Sequence, residues 1–219
     1  MVITFDGDGT LWDFEKVMKY ALEKVARIIR EKYPHVSISV EEMMEDRDRV
    51  AREYSNLSLY EIRRRAFYTT LGRIGIKEDE LAESLFSHYL KFRHKKIILF
   101  DDVMPVLKEL KKSHKIGLIT NGNTRFERHP IARFFDFAIQ SEDVGFAKPD
   151  ERIFRLAAQK AGTSRIIHVG DSIEEDYLGV KNAGFQAIWL NRKRLPKPDF
   201  VEMEIHNLFE LLDFIRDFS

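Results

Sequence analysis

The chain contains no cysteine among its 219 residues and has equal numbers of acidic and basic side chains. The absence of thiols excludes disulfides and cysteine-ligated metal sites. With 36 lysines and arginines against 36 aspartates and glutamates, the chain has no basic excess to neutralise the phosphates of a nucleic acid. We therefore expect neither a disulfide-stabilised fold nor a nucleic-acid partner.

Long apolar runs are absent as well, since no stretch approaches the roughly 18 consecutive apolar residues that indicate a membrane-spanning helix. A strand-like segment begins directly at Met1, which leaves no room for a secretory leader. These features predict a cytoplasmic protein without a membrane partner. The length suits one large domain or two smaller ones, and the residues do not indicate an oligomeric state.

The most informative segment is the first one, where a short β-branched run leads into two acids. Residues 2–5 predict a buried strand, and Asp6 and Asp8 follow it, separated by one glycine. In an extended backbone, residues i and i+2 point to the same side, so both carboxylates face one small volume. Because close carboxylates repel each other, the pattern indicates a metal site, an acid–base pair or both.

Two other structures fit parts of this segment. Aspartate and glycine dominate turns, so an ordinary acidic turn is one alternative. A calcium loop of the EF-hand type requires a preceding helix, with glycine at its sixth position and glutamate at its twelfth. Counted from Asp6, those positions hold Leu11 and Val17, and the preceding segment predicts a strand. The EF-hand alternative is therefore excluded.

The apolar pattern divides the chain into three parts. Over residues 14–96, apolar side chains recur at three- and four-residue steps in four segments, which predicts a small helical bundle. Ser58 with Glu61 predicts a capping box at the start of the third helix. The parts on either side, 1–13 and 97–219, both contain segments that are predicted to be strands.

From residue 97 onward, strands and helices are predicted to alternate. Strands are predicted at 115–120, 135–140, 165–169 and 186–190, and helices around 103–112, 151–161, 174–183 and 208–218. This alternation favours a parallel sheet with right-handed crossovers. We therefore predict an α/β fold in which 1–13 and 97–219 form a Rossmann-like parallel sheet core. An α-helical bundle domain, 14–96, is predicted to be inserted into it.

The second predicted strand ends in a turn that carries polar groups. Thr120 has a hydroxyl, Asn121 has an amide side chain, and the turn at Gly122 has backbone N–H groups of the kind that bind anions. The same three residues also fit a routine structural turn. Taken alone, this segment does not decide between the two.

A lysine and two more acids lie near later strands. Lys148 precedes a proline, whose ring fixes the local backbone. Asp171 follows the third predicted strand of this region, and Asp176 lies little more than one helical turn further on. Taken singly, they fit a surface cation, a helix cap and a surface acid. Their order favours one shared crevice at the carboxyl ends of the strands.

These four motifs together resemble those of the haloacid dehalogenase superfamily, especially phosphatases like phosphoglycolate phosphatase, which have a helical cap after the first motif. The family pattern D-x-D-G-T-L-x-D is matched at residues 6–13, and the strand that ends in Thr or Ser is matched at Thr120. The Lys-Pro motif is matched at Lys148, and G-D-x-x-x-x-D is matched at residues 170–176. All four motifs occur in the family's order.

One position departs from the family pattern. Residue 7 usually carries a bulkier apolar side chain in this family, whereas this chain has glycine. Glycine loosens the backbone between the two acids but removes no reacting group. The departure therefore affects the expected geometry and rate, not the reaction class.

The resemblance implies a role for each acid. Asp6 is implied to be the nucleophile that forms an aspartyl phosphate, and Asp8 the general acid and base. Asp6, the backbone carbonyl of Asp8, and Asp171 are implied to hold Mg²⁺. Asp176 is implied to orient a metal-bound water or the neighbouring lysine.

The resemblance also implies how the transferred group is bound. Thr120, Asn121 and Gly122 are implied to hold the phosphoryl oxygens, and Lys148 is implied to compensate the charge that develops there. The sequence thus predicts a Mg²⁺-dependent phosphatase for small phosphomonoesters, such as triose or short sugar phosphates or phosphoglycolate-like acids. Two alternatives stay open, namely a phosphomutase of the same superfamily and a non-catalytic module that binds a phosphorylated ligand.

Overall fold

The chain folds into two compact units in the computed structural model, which describes residues 1–124, 126, 127 and 129–217. One unit is discontinuous and combines Met1–Phe14 with Ile97–Ser219, and the other, Glu15–Lys96, is inserted between these two segments. Among the described residues, none of the helices has the length and apolar character that a membrane span needs.

The inserted unit is helical, and its backbone is described throughout. It consists of α1 (Phe14–Lys32, which begins one residue earlier), α2 (Val40–Glu53), α3 (Leu59–Arg73) and α4 (Asp79–Lys95). Ser39 and Glu42 form a reciprocal capping box at the start of α2. At the start of α3, Ser58 accepts a hydrogen bond from the backbone N–H of Glu61, as half of the predicted box requires. Local capping therefore fixes where two of the helices begin.

The discontinuous unit contains a parallel sheet, which has six strands among the described residues, in the order β3-β2-β1-β4-β5-β6. The strands are β1 (Val2–Phe5), β2 (Lys115–Thr120), β3 (Phe137–Gln140), β4 (Ile166–Gly170), β5 (Gln186–Leu190) and β6 (Glu204–Ile205). β1 lies in the middle and pairs in parallel with β2 on one side and β4 on the other. The predicted α/β fold with a parallel sheet core is thus confirmed.

Helices cover both faces of this sheet. They are α5 (Val103–Leu110), α6 (Ser141–Val144), α7 (Glu151–Ala161), α8 (Gly179–Asn182) and α9 (Leu208–Asp217). Ile3 and Phe5 of β1 pack in one apolar cluster with α5 and α9, whereas Val2 packs in another with α7. Alternate residues of a strand point to opposite faces, so β1 is buried on both sides.

Several boundaries differ from the predicted ones. The helix predicted over 174–183 is a π-helical turn, Ile173–Leu178, followed by α8, because the Ser172 carbonyl accepts hydrogen bonds from both the Asp176 and Tyr177 N–H groups. β6 was not predicted, since two residues are too few to show a period. Position 218 of the last predicted helix lies outside the described residues.

A partly buried ion pair supports the loop that follows β1. Two guanidinium nitrogens of Arg192 donate to the two carboxylate oxygens of Asp102, at 2.8 and 2.9 Å. One of them also donates to the carbonyl oxygen of Thr10 at 2.9 Å. The guanidinium lies 4.0 Å from the ring centroid of Phe100. The segment that contains both N-terminal acids is therefore anchored to the loop after β5.

Candidate active site

Three of the predicted site residues lie at one edge of the sheet because of its topology. Asp6 follows β1 directly, Thr120 is the last residue of β2, and Asp171 follows β4. β1 lies between the other two strands, and parallel strands bring their carboxyl ends to the same edge. Open α/β sheets bind their ligands outside this edge.

A buried lysine joins two of the acids. The side chain of Lys148 is fully buried, and its Nζ donates to Asp6 Oδ1 at 2.6 Å and to Asp176 Oδ1 at 2.5 Å. Both acids are buried as well. The alternatives of a surface cation and a surface acid are therefore wrong for Lys148 and Asp176. Buried charges persist only when they are paired in this way.

The backbone of this lysine is held by Asn121. The Lys148 N–H donates to Asn121 Oδ1 at 2.8 Å, and Asn121 Nδ2 donates to the Lys148 carbonyl at 2.9 Å. The same Nδ2 also donates to Glu175 Oε2 at 2.9 Å. Both amide protons are thus engaged within the protein. In this structure the Asn121 side chain fixes the lysine loop, which differs from the phosphoryl-binding role implied for it.

The end of β2 presents a buried hydroxyl. Thr120 Oγ1 accepts a hydrogen bond from the Gly122 N–H at 2.9 Å. Because the oxygen accepts this bond, the hydroxyl proton can be donated to another oxygen. The Gly122 N–H, also implied as a phosphoryl ligand, has Thr120 as its partner here. Of the three implied ligands in this turn, the Thr120 hydroxyl is best suited to bind an anion.

Three acids from the segments after β1 and β4 converge closely. One carboxylate oxygen from each of Asp6, Asp171 and Asp176 lies within 4.8 Å of the other two. Gly9 makes this approach possible, since its φ is +84° and a Cβ there would lie 2.3 Å from Asp171 Oδ2. The glycine of the first motif thus lets the loop after β1 contact the loop after β4.

Burial and neighbouring acids raise the pKa of two carboxyl groups in this cluster. Burial, with repulsion from Asp176 and Asp171, raises the pKa of Asp6 well above its usual value despite the attraction of Lys148. Asp171 is exposed as a residue, but partial desolvation of its carboxyl and repulsion from Asp176 raise its pKa to about 6. A bound cation would favour the ionised form of both groups.

The pKa of Asp176 is shifted in the opposite direction, below its usual value. Burial disfavours its charge, but Lys148 and His168 together hold its pKa below the usual range. Its Oδ2 also accepts the Ser172 N–H at 3.0 Å. With both oxygens engaged by the protein, Asp176 serves to hold Lys148. Asp6 and Asp171 are the carboxylates that fit a hard, oxygen-liganded cation such as Mg²⁺.

A family model described as haloacid dehalogenase-like hydrolase matches residues 1–184 of this chain. The chain belongs to this hydrolase family. The match includes the helical unit and all four motifs, so the resemblance predicted from the motifs is confirmed. A crystal structure of a 2-haloacid dehalogenase from Pseudomonas syringae is 32% identical, with a TM-score of 0.70, and the match covers 100% of this chain and 99% of that one.

Similar haloacid dehalogenase-like proteins include phosphatases. The glyceraldehyde 3-phosphate phosphatase of Methanopyrus kandleri is 28% identical, and the match covers 99% of this chain and 97% of that protein. The pyrimidine 5'-nucleotidase YjjG of Escherichia coli is 38% identical over 120 residues, which are 49% of this chain and 53% of that protein. The second match therefore spans about half of each protein.

One buried residue of this hydrolase site was not predicted. His168 lies within β4, fully buried, with Nδ1 2.9 Å from Thr4 Oγ1 and Nε2 3.1 Å from Asp176 Oδ1. It thus links β1 to the acid that holds Lys148. A polar residue inside an otherwise apolar strand was the available signal, since such a residue needs a buried partner.

We expect replacement of His168 by glutamine to reduce the loss of stability on acidification. Burial lowers the pKa of His168, so the unfolded chain binds a proton below about pH 6.5 that the folded protein resists. The free energy of unfolding therefore falls as the pH drops below that value, by at most about 1.4 kcal/mol per pH unit from this group. Urea unfolding between about pH 5 and 7 measures the slope.

Glutamine retains hydrogen-bonding groups at this position but does not titrate. The difference in slope between wild type and H168Q therefore gives the contribution of His168 protonation to stability. His35 is exposed and provides the matched control, because H35Q is expected to keep the wild-type slope. An identical pH dependence in wild type and H168Q would show that His168 does not contribute in this way.

Proposed function

We propose that this chain is a Mg²⁺-dependent phosphatase that hydrolyses small phosphomonoesters through a phosphorylated Asp6. The observation that carries the proposal is the convergence of Asp6, Asp171 and Asp176, of which Asp6 and Asp176 share the ammonium of Lys148. Three carboxylates against one ammonium suit a divalent cation, and the lysine and Thr120 suit phosphoryl oxygens. Similarity to the M. kandleri phosphatase over nearly all of both chains supports this reaction.

In the first step, a carboxylate oxygen of Asp6 forms a bond to phosphorus as the bond to the leaving oxygen breaks. Asp8 donates its proton to that leaving oxygen, so the product departs as a neutral alcohol. Lys148 and the Thr120 hydroxyl stabilise the charge on the phosphoryl oxygens. The result is an aspartyl phosphate on Asp6.

In the second step, Asp8 takes a proton from water as the water oxygen bonds to phosphorus. The bond to Asp6 then breaks, which releases inorganic phosphate and restores the carboxylate. Mg²⁺ would be held by Asp6, Asp171 and the backbone carbonyl of Asp8, and when bound it offsets the repulsion between Asp6 and the phosphate dianion. Asp176 keeps Lys148 oriented through both steps.

We also propose that the helical unit Glu15–Lys96 is a cap domain that selects the substrate. Its insertion directly after the first motif supports this role. Small substrates such as triose phosphates, short sugar phosphates and phosphoglycolate-like acids are the proposed class, in a cytoplasmic setting. Glyceraldehyde 3-phosphate and pyrimidine nucleoside monophosphates are the first candidates, since relatives are named for these activities.

The similarity to a haloacid dehalogenase makes dehalogenation a second candidate reaction. In the family, dehalogenation uses the first aspartate and needs no metal. This chain retains Asp8 and Asp171 as well, which favours phosphoryl transfer. The phosphomutase alternative shares all of these residues and differs in whether water or a sugar receives the phosphoryl group.

Release of inorganic phosphate from a panel of phosphorylated metabolites tests the proposal. We expect turnover of at least one small phosphomonoester with Mg²⁺, loss of turnover with a chelator, and recovery when Mg²⁺ is restored in excess. Isomer formation without free phosphate would indicate a mutase instead. Binding without turnover would indicate a non-catalytic module, and chloride release from 2-chloropropionate in the presence of chelator would indicate a dehalogenase.

A further inference from the structure

The indole of Trp12 contacts Asp8, the acid that transfers protons in the proposed mechanism. Trp12 Nε1 donates to Asp8 Oδ1 at 2.5 Å. An indole nitrogen is a donor only, so the direction of this bond is fixed. We propose that Trp12 is a positioning residue that orients the Asp8 carboxylate for its work as general acid and base. The inference rests on the proposed function, which gives Asp8 that role.

The donor is itself held rigidly. Trp12 is 1% exposed, and its ring stacks on Phe126 with centroids 6.5 Å apart and planes 16° apart. Its backbone N–H donates to the Gly7 carbonyl at 3.1 Å, and its carbonyl accepts from the Gly9 N–H at 2.9 Å. The indole is held in place by its other contacts, so its hydrogen bond can orient the Asp8 carboxylate.

The position of the ring explains why residue 7 is glycine. A Cβ at Gly7 would lie 2.3 Å from Trp12 Cζ2 and 2.7 Å from Cη2, distances that no side chain tolerates. The indole therefore lies against the backbone between Asp6 and Asp8. Glycine at residue 7, which departs from the family pattern, thus leaves room for the indole that donates to Asp8.

The other side of the carboxylate is equally close to the protein. A Cβ at Gly122 would lie 2.3 Å from Asp8 Oδ2 and 3.2 Å from Thr120 Oγ1. Oδ1 is thus held by Trp12, while Oδ2 lies at the turn that carries the phosphoryl-binding hydroxyl. The Asp8 carboxylate therefore lies between the indole of Trp12 and the turn at Gly122.

The proposal predicts a specific kinetic effect. Trp12→Phe removes the N–H but keeps an aromatic ring in the apolar cluster. We expect kcat to fall by about 10- to 100-fold, the scale of a modest misplacement of a catalytic group, with KM close to wild type. Because Trp12 acts through Asp8, the substitution should have no further effect on kcat in an Asp8→Ala background.

A spectroscopic measurement tests the contact independently of turnover. The chain has two tryptophans, and Trp189 Nε1 donates to the Asp171 carbonyl at 2.9 Å. A proton–nitrogen correlation spectrum should therefore show two indole resonances, of which Trp12→Phe removes one. Asp8→Ala is expected to shift that resonance and to leave the Trp189 resonance in place.

Two further variants separate positioning from packing. Phe126→Leu loosens the same cluster but keeps the indole N–H, so it should lower the melting temperature with a smaller loss of kcat than Trp12→Phe. Gly7→Ala should displace the indole and lower kcat in the wild type. With Trp12→Phe present, it should cost less stability, since the benzo atoms that meet the new methyl are gone.

The outcomes distinguish this inference from the proposed function. An unmoved Trp12 resonance in Asp8→Ala, or an equal loss of kcat from Trp12→Phe with and without Asp8, would overturn the positioning role. A wild-type protein that releases no phosphate would overturn the proposed function instead, and the indole resonance would still decide whether Trp12 holds Asp8.

Discussion

Asparagine in place of Asp6 is expected to abolish phosphate release. The amide cannot form the aspartyl phosphate, and loss of a catalytic nucleophile lowers kcat by factors on the order of 10⁶. Phosphate release under Mg²⁺ saturation measures the effect, and the variant should not become labelled on incubation with a radioactive phosphomonoester. Turnover near the wild-type rate would refute the assignment of Asp6.

The fold should withstand this substitution. Burial and neighbouring acids raise the pKa of Asp6, so its charge is poorly tolerated before a cation binds. Asparagine retains an oxygen that accepts from Lys148 and removes the repulsion from Asp171. We therefore expect a melting temperature equal to or above that of the metal-free wild type. Asp143→Asn, which changes an exposed acid on α6, is the matched control and should leave activity unchanged.

Methionine in place of Lys148 is expected to reduce both activity and stability. The ammonium compensates charge on the transferred phosphoryl group, a role worth about 10³- to 10⁵-fold in kcat for a well-placed cation. Its removal also leaves Asp6 and Asp176 buried without their shared partner. Breaking a buried ion pair on one side typically costs roughly 3–5 kcal/mol of folding free energy. Urea unfolding and phosphate release measure the two effects separately.

A second substitution separates the two roles of this lysine. In Lys148→Met with Asp176→Asn, the uncompensated charge of residue 176 is gone, so much of the lost stability should return. Activity should stay low, because the phosphoryl group still lacks its cation. Lys160→Met, on the exposed surface of α7, should change neither quantity. Recovery of activity together with stability in the double variant would show that Lys148 has only a structural role.

The strands of this fold were readable from sequence because they are short apolar runs between turn residues. β1, β2, β4 and β5 lie within one residue of their predicted bounds, since each is mostly buried and its interior is apolar apart from Thr4 in β1 and His168 in β4. β3 begins at Phe137 instead of 135, because Asp136 donates its N–H to the Ile116 carbonyl and accepts the Ile116 N–H instead of joining the ladder.

The site was only partly readable, because spacing reveals motif residues but not their partners. The placement of Asp6, Thr120 and Asp171 at strand ends follows from a parallel sheet. The roles of Asn121 and His168 depend on contacts with residues far along the chain, which periodicity does not report. Trp12 lies within the first motif, yet its hydrogen bond to Asp8 depends on the folded turn.

The central place of β1 affects the order in which the protein assembles during synthesis. β1 is made before its partners β2 and β4, which follow only after the whole of Glu15–Lys96. Pairing between distant segments is slow, because a long loop must close before any contact forms. A nascent chain that stops before β4 contains Asp6, Asp8, Thr120 and Lys148 but lacks Asp171 and Asp176, so the acidic cluster of the site is incomplete until β4 and the residues after it have been made.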